Sequence, residues 1–238
     1  MATPGPEMGG PPASSLPSPS AVPAWAGRPA FTILGRGRAG RALAAAWQGQ
    51  AALLAAREQP DVPEGPVLLA VPDHAVEALA RRYPGRAVHL SGSLHLPDVP
   101  AAHPLTSFDG SPADWAGVPL GLTGPVPEPL VAAFAGLGFM PFELPAELKP
   151  LYHACAVLTS GHAATLWLGA AALLARNGIV LPGRGLGPLV EATVRNIERH
   201  GAAGRTGPFV RGDAPTIARD AAALPEAWRD VFLRLGRL

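Results

Sequence analysis

Cysteine is almost absent from this chain of 238 residues: Cys155 stands alone. One thiol excludes an intrachain disulfide and a thiolate metal cluster, and it fits a reducing, cytoplasmic setting. Between Ala154 and Ala156 it reads as a buried structural thiol rather than a nucleophile. Aromatic residues are scarce at 6%, although hydrophobic residues reach 48%. The apolar mass is therefore mostly Ala, Leu and Val, a mixture suited to helices packed on a parallel sheet. The net charge is only +1, and no block of Lys and Arg occurs. Phosphate-backbone binding needs such a block, so nucleic acid is not an expected partner. No basic start followed by an apolar stretch marks a secretory signal. The longest apolar run, Ala163 to Ala175, is too short to cross a bilayer and reads as a helix covered by other helices, so no membrane partner is expected. His89, His95, His103, His153 and His162 lack the close spacing with acids or cysteines of a zinc site, so no metal is expected.

Proline and glycine are plentiful, at 29 and 28 residues. Residues 1–28, with Pro11-Pro12, Ser14-Ser15, Pro17 and Pro19, read as a disordered tail. From residue 29 to 145 strand-like and helix-like segments alternate. Ala30–Leu34, Ala51–Ala56, Val67–Val71, Arg86–Leu90, Val118–Gly121 and Phe139–Leu144 read as strands. Ala39–Trp47, His74–Arg82 and Glu128–Gly136 read as helices, and Leu94 to Ala116 reads mostly as loop. Only about ten residues separate Arg57 from Val67, too few for a full crossover helix. The pattern is that of an α/β, doubly wound parallel sheet. Past Pro145 the alternation stops, and Pro150–Arg176, Leu189–Arg199, Thr216–Leu224 and Glu226–Leu235 read as helices. Residues 146–238 thus form an all-helical domain. Its apolar first helix needs cover on several faces, which a second copy in a homodimer would supply.

Between the first strand and first helix lies Gly35-Arg36-Gly37-Arg38-Ala39-Gly40, a Gly-x-Gly-x-x-Gly turn. In that context Gly35 allows the tight turn, Gly37 lets backbone N–H groups reach a pyrophosphate, and Gly40 lets helix and strand approach. The helix start at Ala39 adds free N–H donors and a favourable dipole end. In such folds an acid ending strand two binds the ribose hydroxyls of NAD. Here Arg57 stands at that place and would grip a 2′-phosphate, favouring NADP(H). The alternative is that Arg57 is solvated and Glu58 turns to the ribose.

Further candidates fall at strand ends. Val71-Pro72-Asp73 follows strand three, where Asp73 reads either as a helix N-cap or as part of the ligand edge. Ser91-Gly92 ends strand four and offers a hydroxyl and N–H groups to a carboxylate or carbonyl, with His89 on the same side of the strand. Lys149 and His153, four apart, share a helical face. Either would protonate the atom left negative as hydride adds to a carbonyl; the bland readings are a solvated lysine and an interior histidine. His103 lies in the loop after Ser91, and Arg211, before Gly212-Asp213, would pair with a substrate carboxylate or with Asp213.

Together Gly35–Gly40, Val71-Pro72-Asp73, His89-Leu90-Ser91-Gly92, His103-Pro104-Leu105 with Phe108, Tyr152-His153-Ala154, Asn196-Ile197, Thr206-Gly207-Pro208 and Arg211-Gly212-Asp213 resemble the Rossmann-like proteins that carry a DUF2520 domain. That family is similar in layout to ketopantoate reductase, pyrroline-5-carboxylate reductase and the β-hydroxyacid dehydrogenases. The resemblance implies a 6-phosphogluconate-dehydrogenase-like helical domain and NAD(P)-dependent hydride transfer at the cleft between the domains. It implies a small keto acid, ketopantoate among them, or an imino acid as substrate. It also implies that Ser91-Gly92 and His103 meet the substrate, and that Lys149 and His153 take the place of a Lys and Asn pair. Ser160-Gly161 departs from the Ser-Asn that the family carries there.

Overall fold

The computed structural model describes residues 30–238 except Gln59. The tail expected over residues 1–28 lies outside the described residues. The chain divides into two compact units, 1–156 and 157–238. The first unit therefore reaches past the composition change near residue 145 and includes Lys149 and His153.

The first unit holds a seven-stranded sheet in the order β2-β1-β3-β4-β5-β6-β7. The strands are β1 (Phe31–Leu34), β2 (Ala51–Leu54), β3 (Val67–Leu69), β4 (Ala87–His89), β5 (Ala101–Pro104), β6 (Pro119–Thr123) and β7 (Met140–Glu143). Helices α1 (Arg38–Ala46), α2 (Asp73–Ala80) and α3 (Glu128–Gly136) cover it, and α4 (Lys149–Val157) follows. Side chains alternate across the strands and so build a core on each face. Phe31, Ile33, Leu68, Val88 and Leu120 pack with Leu43 and Trp47 of the first helical connection and with Leu130 and Phe134 of α3. Trp47 anchors this layer: its ring meets Phe31 at 4.8 Å and Phe134 at 5.0 Å, and its Nε1 donates to the Ala133 carbonyl. Leu34, Val67, Leu69 and Ala87 face Val76 and Leu79 of α2 on the other side.

Two expectations about the sheet are corrected. β5 is a strand inside a stretch read as loop, and β6 pairs with it antiparallel, Ala101 opposite Thr123. The sheet is parallel from β2 to β5 and reverses once. No helix separates β5 from β6, so the chain turns back beside its own strand instead of crossing over. Among its described residues the shortened β2–β3 connection holds only a 3₁₀ turn, Ala56–Glu58, and is tied down by Tyr83 Oη on the Pro60 carbonyl at 2.7 Å.

The second unit is all helical among its described residues. A π turn (Leu158–His162) leads into α5 (Ala163–Arg176), followed by α6 (Gly187–His200), α7 (Pro208–Arg211), α8 (Ala214–Ala223) and α9 (Glu226–Leu235). α9 crosses α5 so closely that a Cβ on Gly169 would stand 2.3 Å from the Trp228 ring. No residue of α5 is buried, and Trp167 and Leu168 are exposed, against the expected cover by other helices. Nor is the apolar stretch short: the helical run Ala146–Arg176 is 31 residues, enough by length and composition to cross a membrane, a test that core helices of soluble proteins also pass. Cys155 is exposed, not buried as expected.

Candidate active site

The strand order reverses between β1 and β3, and in open α/β sheets ligands bind at such a point, at the carboxyl ends of the strands. The glycine turn follows β1 there. Gly35 has φ +123°, and a Cβ on it would lie 2.2 Å from the Ala70 carbonyl oxygen. A Cβ on Gly40 would lie 1.9 Å from the Gly35 carbonyl oxygen. These two glycines are required by the protein itself. Gly37 differs: its nearest neighbour would be the Ala70 oxygen at 4.0 Å, and the residue is exposed. It caps α1 without any side-chain hydrogen bond, so no cap side chain occupies the first N–H groups of the helix. An anion of pyrophosphate shape fits that cradle. Arg36 and Arg38 are exposed beside it, and Ala39 is half-buried. Arg57 and Glu58 are both exposed on the 3₁₀ turn after β2.

Beyond the switch point, β4 and β5 carry the rest. His89 stands opposite Ala101, so Ser91 is level with His103 two residues on. Ser91 Oγ donates to Asp73 Oδ2 at 2.8 Å and accepts the N–H groups of Ser93 and Leu94 at 3.3 and 2.9 Å. Asp73 is thus not the N-cap of α2. Pro72 holds that place, and the Asp73 carboxylate reaches across to Ser91 instead. Val71 and Pro72 follow β3, and Val71 Cγ1 would lie 3.2 Å from a Cβ on Gly35.

Lys149 opens α4 and is fully buried, 0% exposed, which removes the reading of a solvated cation. Its Nζ donates to the Ser91 carbonyl oxygen at 2.9 Å. Burial draws its pKa down from 10.5 to about 8, opposed by the Asp73 carboxylate. One helical turn on, His153 lies against Gly92: a Cβ on Gly92 would stand 2.8 Å from His153 Cδ2 and 2.7 Å from His103 Nε2. Only glycine permits both rings at this place. His103 and His153 meet edge to face at 6.0 Å. His103 Nδ1 also shares a hydrogen bond with the Tyr152 hydroxyl at 3.0 Å. Lys149, His153, Ser91, Gly92, His103 and Asp73 therefore form one cluster at the carboxyl edge. Arg211 belongs to the second unit, exposed at the end of α7, while Asp213 caps α8 by accepting the Thr216 N–H.

Two signals escaped the sequence reading. Tyr152 is a site residue through His103. Lys149 is also the only lysine in the chain, beside eighteen arginines. Among the described residues the exposed cations are arginines; at the one buried position there the chain uses an amine, which is able to lose its proton where a guanidinium is not.

Burial holds His89 and His103 near pKa 4 instead of 6.5, with Lys149 adding to the effect on both and His153 on His103. Between these values the unfolded chain binds protons that the folded chain does not. Stability therefore falls as pH drops from 6.5 towards 4, by up to about 1.4 kcal/mol per pH unit for each histidine. Urea unfolding at neutral pH and near pH 5 measures it; equal free energies would mean that neither ring is held neutral.

The C-terminal half of the chain, from β6 onward, matches a family. A model described as a domain of unknown function, DUF2520, matches residues 118–238. The chain belongs to the DUF2520 family. No curated protein matches it in sequence. Solved structures match across both units. A candidate NADP oxidoreductase, BF3122 of Bacteroides fragilis, superposes with a TM-score of 0.71 at 20% identity, over 88% of this chain and 97% of that one. Protein TM1727 of Thermotoga maritima gives 0.66 at 21% identity, over 87% and 96%. An imine reductase of Streptomyces aurantiacus gives 0.57 at 19%, over 86% and 93%. At these identities the likeness is one of fold: a Rossmann-like sheet domain followed by a helical domain.

Proposed function

We propose that this DUF2520 protein is an NADP(H)-dependent reductase of a small substrate bearing a C=N or C=O bond. The observation that carries the reading is the buried Lys149 amine at the sheet edge that also presents the glycine cradle. Gly35, Arg36, Gly37, Arg38, Ala39 and Gly40 would hold the pyrophosphate of NADPH, Val71, Pro72 and Asp73 would flank it, and Arg57 would take the 2′-phosphate. When bound, NADPH supplies the hydride.

Lys149 supplies the proton. One of its N–H groups is engaged by the Ser91 carbonyl; the others are its means of donating to the substrate nitrogen or oxygen as negative charge develops there. A pKa near 8 keeps the ammonium populated at neutral pH while making the proton easier to release. The Ser91 hydroxyl hydrogen is committed to Asp73, so Ser91 serves chiefly through its carbonyl and the turn it holds. His153 and His103 would orient the substrate beside Gly92, and Arg211 would pair with its carboxylate.

An imine is the favoured substrate class, supported by the fold shared with an imine reductase. A keto acid such as ketopantoate is the second reading, favoured by a lysine cation placed to stabilise an alkoxide. The reading includes a 6-phosphogluconate-dehydrogenase-like helical domain and a homodimer in which a second copy covers the exposed side of α5. Consumption of NADPH, followed by its near-ultraviolet absorbance, with a panel of cyclic imines, imino acids and keto acids tests it. Turnover of one class selects between the two readings. Tight NADPH binding with no turnover on any compound would reduce the protein to a dinucleotide-binding module.

NADPH is expected to bind at least about tenfold more tightly than NADH, since a guanidinium fork on the 2′-phosphate contributes about 1.5–3 kcal/mol. In calorimetric titrations Arg57→Ala should bring the two cofactors close to parity. Equal affinities in the parent protein would mean that Glu58, not Arg57, meets the ribose.

A further inference from the structure

His89 ends β4 and is fully buried. Its Nδ1 accepts the Ser91 N–H at 3.2 Å, whereas its Nε2 has no hydrogen-bond partner among the described residues. An acceptor at Nδ1 puts the proton on Nε2, so the orphaned atom is a buried N–H donor. Such a donor opposes folding, and a leucine at this position would avoid the cost. What the histidine adds is therefore the acceptor at Nδ1. The residue it grips is the one on which the site converges: Ser91 offers its carbonyl to Lys149 and its hydroxyl to Asp73.

We infer that His89 is a positioning residue whose neutral ring, through the Ser91 backbone, fixes the carbonyl that holds the Lys149 amine. The inference rests on the reading of Lys149 as proton donor. The groups that face the ring are Lys149, His95 and His103, which oppose a second proton on it, and Asp73, which favours one. A proton on Nδ1 would turn the acceptor into a donor facing the Ser91 N–H and break the bond.

Because Lys149 is the only lysine, carbon-13 at the lysine ε position gives a single resonance whose pH titration reports this amine alone. The parent protein should titrate near 8. His89→Asn sets an amide oxygen close to the Nδ1 position and should keep that midpoint. His89→Gln, whose amide lies one carbon farther out, and His89→Leu, which has no acceptor, should lose it. The midpoint should then move by at least about half a pH unit, downward if the amine stays buried without its carbonyl and upward if it swings to water. Either movement supports the inference. A folded Gln or Leu variant that keeps the parent midpoint overturns it, as does an Asn variant displaced as far as the other two; if Leu fails to fold, Gln decides. The measurement needs neither substrate nor cofactor. Absent turnover with the expected displacement would sink the reductase reading and leave the positioning role standing, and an unmoved midpoint in an active enzyme would do the reverse.

Discussion

Lys149→Ala is expected to lower kcat by about 10²–10⁴-fold while leaving NADPH affinity nearly unchanged. The residue is remote in sequence from the glycine cradle, and its amine donates to the Ser91 carbonyl, so cofactor binding should keep its own contacts. What disappears is the one buried cation beside Ser91. Lys149→Arg should not rescue the rate, because a guanidinium holds its proton throughout the accessible pH range. In the parent enzyme kcat/KM should fall above about pH 8, as the ammonium is lost, and this limb should vanish in the alanine variant. His153→Ala should instead damage substrate binding and rate together, since His153 stands beside Gly92 one turn farther along α4. Steady-state kinetics with a parallel NADPH titration separate these outcomes. A Lys149→Ala variant within about threefold of the parent kcat would make the lysine an anchor of the β4 turn and pass the proton to His153.

Gly40→Ala is expected to weaken NADPH binding by the order of 100-fold, about 2.7 kcal/mol. The added Cβ would meet the Gly35 carbonyl oxygen at 1.9 Å, a backbone atom that cannot rotate away. Either α1 lifts from the sheet or the glycine turn opens, and both spoil the cradle. Overpacking of this kind also costs about 1–3 kcal/mol of stability, so the melting temperature should fall with the affinity. Gly37→Ala is the internal control. Its Cβ has no neighbour nearer than 4.0 Å, so folding should be untouched, and any loss of affinity comes from the ligand itself. If Gly40→Ala melts lower yet binds NADPH within about threefold, the dinucleotide does not sit on this turn.

Some elements were plain in the sequence for local reasons. α3 and α9 have the bounds that periodicity predicts, Glu128–Gly136 and Glu226–Leu235, because a proline stands just before each. The glycine turn was legible because its strand and helix flank it directly. β5 was not: Ala101–Pro104 is four residues with a histidine and a proline, set among other prolines, and its pairing comes from β4 and β6. The reversal at β6 is a property of the connection, which local pattern does not encode. Within the site, residue identities were legible but their states were not. Lys149 beside Glu147 and Pro150 looks like a solvated helix start, and only the packed sheet edge buries it. Asp73 before a helix looks like a cap until Ser91, 18 residues on, is brought within reach of it.

The lone buried lysine has a consequence for how this protein meets reactive chemistry around it. Reagents and enzymes that attack side-chain amines at a surface, by acylation, by sugar condensation or by attachment of a peptide tag, find no target here. The surface positions that carry a positive side chain carry arginine, and the single lysine is closed over by the fold. Amine acylation of Lys149 then reads local opening of the contact between the Ser91 turn and α4, and its rate is a direct measure of how often that contact comes apart.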